Sequence, residues 1–406
     1  MERLRGAIKD YAWGSAVAIP KMFDLPPSRG PVAEIWLGTH PLGPAELADG
    51  IVYNPEGKPA EQNLLDYIDR DPEGCLGATL SRVGSSLPYL LKLIAPDQPL
   101  SLQVHPSRAQ ARRRFDDEEA AGVDIADPER NYLDRNHKPE LLLAVTKFEA
   151  IAGFRAPRRV MEVVGGLPCT IADTLLTFLA DDMSPVGMRA CFEYLLSDET
   201  RPSVEEIDEL VQGCRERLRT GTSPSARADR IVNHLAAYYP GDPGIVASLL
   251  LNPVTLQPGE ALFVPAGTVH AYLAGTGVEI MANSDNVLRA GLTSKRIDVP
   301  ELLATVDYTA APPIRIAPEH VSEVTRTYYA PVDDFELSVT ELMDWTTKRP
   351  LPGRGPRILL ALSGAIEVST KEQGITLNLG EAAFVRADEG NLQVQGVGTL
   401  IQADIP

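Results

Sequence analysis

The chain has 406 residues, 44% of them apolar and 23% charged, which predicts a globular protein of two or three domains. Its net charge of −18 argues against nucleic acid as a partner, and any phosphate ester bound here needs local cations to overcome that field. No stretch is long and apolar enough to span a bilayer, and no N-terminal segment has the layout of a leader, so no membrane partner and a cytoplasmic location are expected.

The sequence to about Ile151 is a series of short β-type runs broken by Gly and Pro, such as Glu34–Gly38 and 87–94. Residues 100–106 read Leu-Ser-Leu-Gln-Val-His-Pro. Residues two apart on a strand share a face, so Ser101, Gln103 and His105 point one way, and Leu102 and Val104 point to another layer or the exterior. That alternation fits a lined cavity or an exposed hairpin face. Arg108, Arg112, Arg113 and Arg114, followed by Asp116, Asp117, Glu118 and Glu119, predict a solvated, self-paired helix without chemistry.

Residues 132–140 read Tyr-Leu-Asp-Arg-Asn-His-Lys-Pro-Glu. Pro139 bars a helix and favours an extended approach. Glu140 then enters the apolar run 141–145, which predicts a buried strand. A carboxylate at the mouth of a buried strand needs a partner, either a metal or a salt bridge with Lys138 or Arg135.

From Ala156 to about Leu251 the pattern turns helical. Ser184-Pro185 and Asp242-Pro243 read as N-caps followed by Pro at the first helical position. Residues 203–206, Ser-Val-Glu-Glu, fit a capping box, and Ile207, Leu210, Val211, Cys214 and Leu218 follow at helical spacing. The four cysteines, Cys75, Cys169, Cys191 and Cys214, form no CxxC pair and read as buried reduced thiols.

After Asn252 the β pattern returns, with an internal repeat. Residues 256–266 and 377–387 share Leu, Gly, Glu, Ala, Phe, Val and Ala at matching positions. The first copy continues through Pro265, Ala266 and Gly267 to His270 and resembles the second motif of cupins, double-sheet jelly rolls whose bowl often holds a metal. Ala274 stands where that motif usually has Asn. In the second copy Arg386 and Asp388 replace the Pro and Gly, and Asn391 falls at the His position, which predicts a structural, covering role. The expected fold is mainly β with an α-helical insert, as two cupin-like jelly rolls plus a helical domain. Residues 1–154 with 252–311 form the catalytic roll, 155–251 the insert and 312–406 the degenerate roll.

Gln103, His105, Glu140 and His270 offer two nitrogens and two oxygens to one metal. This set suits Zn²⁺, with Mn²⁺, Fe²⁺ or Co²⁺ as alternatives. Arg289, Lys138 and Lys92 lie in or near the same runs and suit a phosphate or an enediolate oxygen. Glu279 and Asp285 are acid–base candidates.

These runs closely resemble the type I phosphomannose isomerases, the mannose-6-phosphate isomerase family. The likeness is carried by 11–14, Tyr-Ala-Trp-Gly, by 33–41, by 103–105, 132–140 and 270–272, and by 284–293, Ser-Asp-Asn-Val-Leu-Arg-Ala-Gly-Leu-Thr. It implies one zinc per chain on Gln103, His105, Glu140 and His270, with Arg289 as the active-site arginine. It also implies interconversion of mannose 6-phosphate and fructose 6-phosphate. A cis-enediol route follows, with Asp285 or a neighbour moving the ring hydroxyl proton. The C1/C2 base stays open among Lys138, Glu279, His137 and Lys92. Ser101, Tyr272, Lys295 and Trp13 are the expected substrate contacts. The absence of a coiled-coil pattern favours a monomer. Competing readings are an isomerase of another sugar phosphate, an iron-dependent cupin oxygenase and a sugar-binding cupin without turnover.

Overall fold

A computed structural model describes residues 1–406. The apolar run after Pro139 forms the strand Glu140–Ala144, buried along its whole length. It lies between Ala261–Val264 and Gly277–Ala282 in a seven-stranded antiparallel sheet. That sheet continues through Tyr89–Ile94 and Glu34–Gly38 to Ala7–Lys9. A five-stranded sheet has the order Leu288–Gly291, Leu102–Val104, His270–Ala274, Phe148–Phe154, Leu251–Leu256. Leu142, Leu262 and Val264 from the larger sheet pack with Phe148, Ala150 and Tyr272 from the smaller.

The alternate residues Leu91, Leu93, Leu141, Leu143 and Ile280 pack with Leu337, Ile358, Phe384 and Ile401 of a nine-stranded C-terminal sheet. Covering both faces explains why 141–143 is unbroken Leu rather than alternating. On the other side, Leu102, Val104, Ile151 and Leu288 pack against the helices. The layers therefore run helices, five strands, seven strands, nine strands. The structure is mostly sheet with helices, as expected, and no helix is long and apolar enough to cross a membrane.

The helices of the insert run from Pro157–Val164 to Gly244–Leu250. Ser184 accepts the Val186 N–H with Pro185 in the first turn, and Ser203 and Glu206 form the reciprocal capping box. The Asp242-Pro243 signal is displaced by one residue. The helix starts at Gly244 with Pro243 as its cap, while Asp242 Oδ1 accepts the Gly244 N–H at 2.7 Å. Its other oxygen accepts the Thr293 N–H at 3.3 Å and ties the insert to the loop after Arg289.

The helix Arg108–Ala120 forms, but it is not self-paired. Arg108 reaches His137 and Asp334, Arg114 reaches Glu301 at 2.7 Å, and Asp116 and Glu119 receive Arg135 and Arg130. The only pair inside the helix is Arg114 with Asp117 at 3.6 Å. Arg135 and Asp116 are both exposed, so that pair contributes little, whereas Asp334, Glu301 and Arg130 are largely buried on their side of the contact.

The repeat is visible in the turns. Glu260 accepts the Gln257 N–H and Glu381 the Asn378 N–H, both at 2.8 Å. Gly259 and Gly380 follow the same course at φ 85° and 79°, where a side chain would be strained. Two short strands cross the expected boundaries. Glu2–Arg5 pairs with Ala382–Val385, and Ile314–Ile316 pairs with Ala261–Val264.

All four cysteines are buried and free. Inside the insert, Arg217 meets Asp229 at 2.6 Å, both side chains being less than 10% exposed. Asp229→Ala leaves the guanidinium without its counterion and is expected to destabilise the protein by about 3–5 kcal/mol. Urea unfolding measures this, and a loss below about 1 kcal/mol would show that Arg217 finds other partners.

Candidate active site

Gln103 lies in register between His270 on one neighbouring strand and Arg289 on the other. Residues directly opposite one another share a face, so these three side chains form one row across the five-stranded sheet. Leu102 and Val104 take the opposite face, toward the helices, as their alternation predicted. His105 follows at the strand end and is fully buried. Glu140 enters from the seven-stranded sheet, next to Met281 and Val264 in register.

The ligand atoms of His105, Glu140 and His270 lie within 4.8 Å of one another. His105 Nε2 is 3.1 Å from Glu140 Oε1, and His270 Nε2 is 3.3 Å from Glu140 Oε2. The Gln103 amide reaches within 3.4 Å of His270 Nε2.

The outer nitrogens fix the tautomers. His105 Nδ1 meets the Asn286 carbonyl at 2.9 Å and His270 Nδ1 the Thr268 carbonyl at 3.0 Å. A carbonyl only accepts, so each Nδ1 carries hydrogen and each Nε2 turns a lone pair inward. Burial and then the Lys138 ammonium push His105 down to about 4, so it is neutral at pH 7. Its Nε2 is buried without a hydrogen-bond donor and faces a carboxylate oxygen at 3.1 Å. Lone pairs and a carboxylate aimed at one point repel unless a cation sits among them. The residues therefore fit a borderline divalent metal such as Zn²⁺.

Glu140 has further partners. Lys138 Nζ donates at 2.7 Å and the Tyr272 hydroxyl at 3.3 Å. Burial works against its charge, but Lys138 holds the carboxyl well below the usual range. Of the two salt-bridge partners expected as the alternative to a metal, Lys138 meets Glu140, whereas Arg135 pairs with Asp116. Tyr272 is 1% exposed and lies behind Glu140, where it orients the carboxylate.

Lys92 stands in register between Trp36 and Glu279. Its Nζ is 3.4 Å from Glu279 and 3.9 Å from Glu34. Burial opposes its charge, but Glu34, Glu279 and Glu140 together raise its pKa above the usual lysine value. A catalytic base would need the reverse shift. Glu279 is buried, with Oε1 lacking a donor, and burial followed by the charge of Glu140 raises its pKa.

Asp285 pairs with His40 at 3.2 Å. Burial raises its pKa, but the His40 contact, Lys138 and Lys92 outweigh this and keep it ionised. His137 turns to Asp334 at 2.8 Å and to Arg108, not to the ligand group.

Arg289 is half-buried and has no carboxylate partner. Its charge is the leading cause of a lowered pKa at the exposed Lys295. Two unpaired cations in one another's field make a place for an anion. Ser101 is half-buried just before the Leu102–Val104 strand, and Trp13 packs against the core between the two sheets.

His40, Glu34, Asp134, Asn286 and Asp334 were not singled out from the sequence. Asp134 organises the Arg289 segment by accepting from the Ser284 hydroxyl and the Asp285 and Asn136 amides. For His40 a signal existed, since the chain has only six histidines. Glu34, Asp134 and Asn286 lie within the runs that carry the family likeness, whereas Asp334 had no local signal, its partners His137 and Arg108 being far away in sequence.

Comparison with known proteins bears on the same residues. Residues 1–157 match the family model described as phosphomannose isomerase type I, catalytic domain. The chain is similar to the mannose-6-phosphate isomerase of Escherichia coli, 36% identical and covering 98% of each chain. It is also similar to the Homo sapiens enzyme of that name, 31% identical over 94% of this chain and 92% of the other. Among solved structures, mannose 6-phosphate isomerase from Salmonella typhimurium bound to fructose 6-phosphate and zinc superposes with a TM-score of 0.87. It is 33% identical, covering 100% of this chain and 99% of that one. A structure of mannose 6-phosphate isomerase with zinc and yttrium gives a TM-score of 0.87 at 32% identity.

Proposed function

From the premise that the chain belongs to the type I phosphomannose isomerases, we propose how its residues divide the work of the reaction. The protein is a mannose-6-phosphate isomerase that interconverts mannose 6-phosphate and fructose 6-phosphate with zinc. The observation that carries this reading is the convergence of His105, Glu140 and His270 within 4.8 Å, in a chain similar to these enzymes over almost its whole length. In our reading Gln103 completes the ligand set, and its amide presents Oε1 when the metal is held. Bound there, the metal supplies Lewis acidity toward the sugar oxygens.

The phosphate lies against Arg289 and Lys295, the two cations without carboxylate partners. The sugar then extends toward the ligand row, which Arg289 shares with Gln103 and His270. Asp285, ionised and steadied by His40, takes the anomeric hydroxyl proton and delivers it to the ring oxygen as the bond from that oxygen to C1 breaks. With the charge of Glu140 taken up by the metal, Lys138 in its neutral form takes the C2 proton and returns it at C1 by way of a cis-enediol. Lys92 stays protonated and balances the negative charge of Glu34 and Glu279 beside the site. Glu279 anchors Lys92 and Tyr272 anchors Glu140. His137, joined to Asp334, fastens the C-terminal sheet to the catalytic segment.

The cupin reading fits the arrangement. One jelly roll is formed by 1–154 with 252–311 and a degenerate one by 312–406, each lending a short strand to the other, with 155–251 as the insert. The chain acts as a monomer in the cytoplasm.

The first test is conversion of mannose 6-phosphate to fructose 6-phosphate before chelation, after chelation and after zinc is restored. Turnover is expected to vanish with chelation and return with zinc. No turnover in the metal-loaded protein would remove this reading for this substrate, and oxygen consumption by an iron-loaded form would favour a cupin oxygenase.

Lys138→Met tests the proton carrier. Turnover is expected to fall by about 10²–10⁴, the usual contribution of a positioned acid–base group, and C2 hydrogen exchange with solvent should fall equally. A variant that loses turnover but keeps exchange would still have its base, and the role would pass to Glu279.

A further inference from the structure

We propose that a concavity at the far end of the five-stranded sheet is a second binding site, one that takes a phosphate dianion. It lies where the helix Ala226–Tyr238 crosses the strands Phe148–Phe154, Leu251–Leu256 and His270–Ala274. Its volume is about 440 Å³, within the range of about 300–1,000 Å³ typical of small-molecule sites. Ala274 lines it while His270 lies at the opposite end of the same strand, about 13 Å away at ~3.3 Å per residue. The site is therefore separate from the metal ligands.

Its charge is the reverse of the molecule's. Lys147, Arg227 and Arg230 face a single carboxylate, Glu149, so three positive charges less one negative leave +2 with His234 neutral. The whole chain carries −18. Glu149 is already engaged by Lys147 at 2.6 Å and lies 3.8 Å from Arg227. Arg227 is half-buried and steadied by the Thr255 hydroxyl, while Arg230 takes part in no ion pair or side-chain hydrogen bond. In the field of Arg227 stands Arg155, only 5% exposed, whose Nε and one terminal nitrogen lack any partner. A buried guanidinium without a counterion is costly, and an anion beside Arg227 would offset it. Arginine forks match phosphate oxygens, and the apolar Ile231 and Leu273 give an organic body a surface to rest on.

Equilibrium dialysis with radiolabelled inorganic phosphate on the zinc-loaded full chain tests this. Two phosphate sites per chain are expected. An equilibrium mixture of mannose 6-phosphate and fructose 6-phosphate at concentrations near its KM should empty the catalytic site first and leave the other largely occupied. Arg227→Gln combined with Arg230→Gln should weaken the remaining site at least tenfold, with kcat and KM for the isomerase reaction unchanged. Arg230→Gln alone removes an exposed side chain without partners and should weaken the same site several-fold without disturbing folding. AMP as competitor separates the sources: displacement at lower concentration than phosphate itself identifies a phosphoester, and equal displacement identifies the free ion. A single phosphate site that the hexose phosphates empty would overturn the proposal, as would a double variant that binds phosphate like the parent.

Discussion

Glu140→Gln is expected to release zinc and abolish turnover while leaving the fold in place. The carboxylate is the one anion among the ligand atoms, and it faces His105 at 3.1 Å, His270 at 3.3 Å and Lys138 at 2.7 Å. The amide keeps the shape but removes the charge that binds the metal. A change in the shell outside the ligands costs about 10–100-fold in metal affinity, so loss of a charged ligand should exceed that. Losing several kcal/mol of charge stabilisation lowers the rate by at least about 100-fold. Lys138 would also be left buried without its partner, so some stability should go as well. Metal analysis after dialysis, with turnover measured against added zinc, gives the result. A variant that keeps one zinc per chain and near-parental turnover would show that Glu140 is not a ligand.

The candidate ligands could be picked out because the evidence for each is local. Gln103 and His105 are polar residues on one face of an otherwise apolar strand, and Glu140 is a carboxylate joined to an unbroken apolar run. No loop had to be followed to see that these groups needed a partner. The caps at Ser184 and Ser203 were legible for the same reason, since a helix start is decided within four residues. The other features depend on pairing across the sheets. Lys92 was one of four candidate bases, and only strand register shows that Glu34 and Glu279 stand beside it. His137 sits in the richest motif of the chain, yet its partner Asp334 comes from the C-terminal region almost two hundred residues away. The charged helix at 108–120 misled for a related reason. Spacing shows which charges face one another on the helix, but not that Glu301, Arg130 and Arg135 wait on neighbouring segments.

Arg289→Ala is expected to lower kcat/KM by about 10–200-fold, the cost of one charge-assisted hydrogen bond, with most of the loss in KM. The reason is a balance of charges. Lys92 and Lys138 each face carboxylates beside the metal ligands, so neither is free to hold a phosphate. Arg289 and Lys295 have no such partner; burial lowers the pKa of Arg289, and the charge of Arg289 followed by burial lowers that of Lys295. A fixed dianion is the group that satisfies both. The phosphate does not change charge during isomerisation, so a contact to it stabilises the bound substrate and the transition state equally. Its removal therefore raises KM and leaves kcat largely intact. Arg289→Lys should recover part of the loss, because the charge remains while the two-pronged contact goes. The opposite split is equally readable. If kcat falls while KM stays, Arg289 answers charge that develops on the enediol oxygens, and the phosphate must then rest on Lys295 and its neighbours instead.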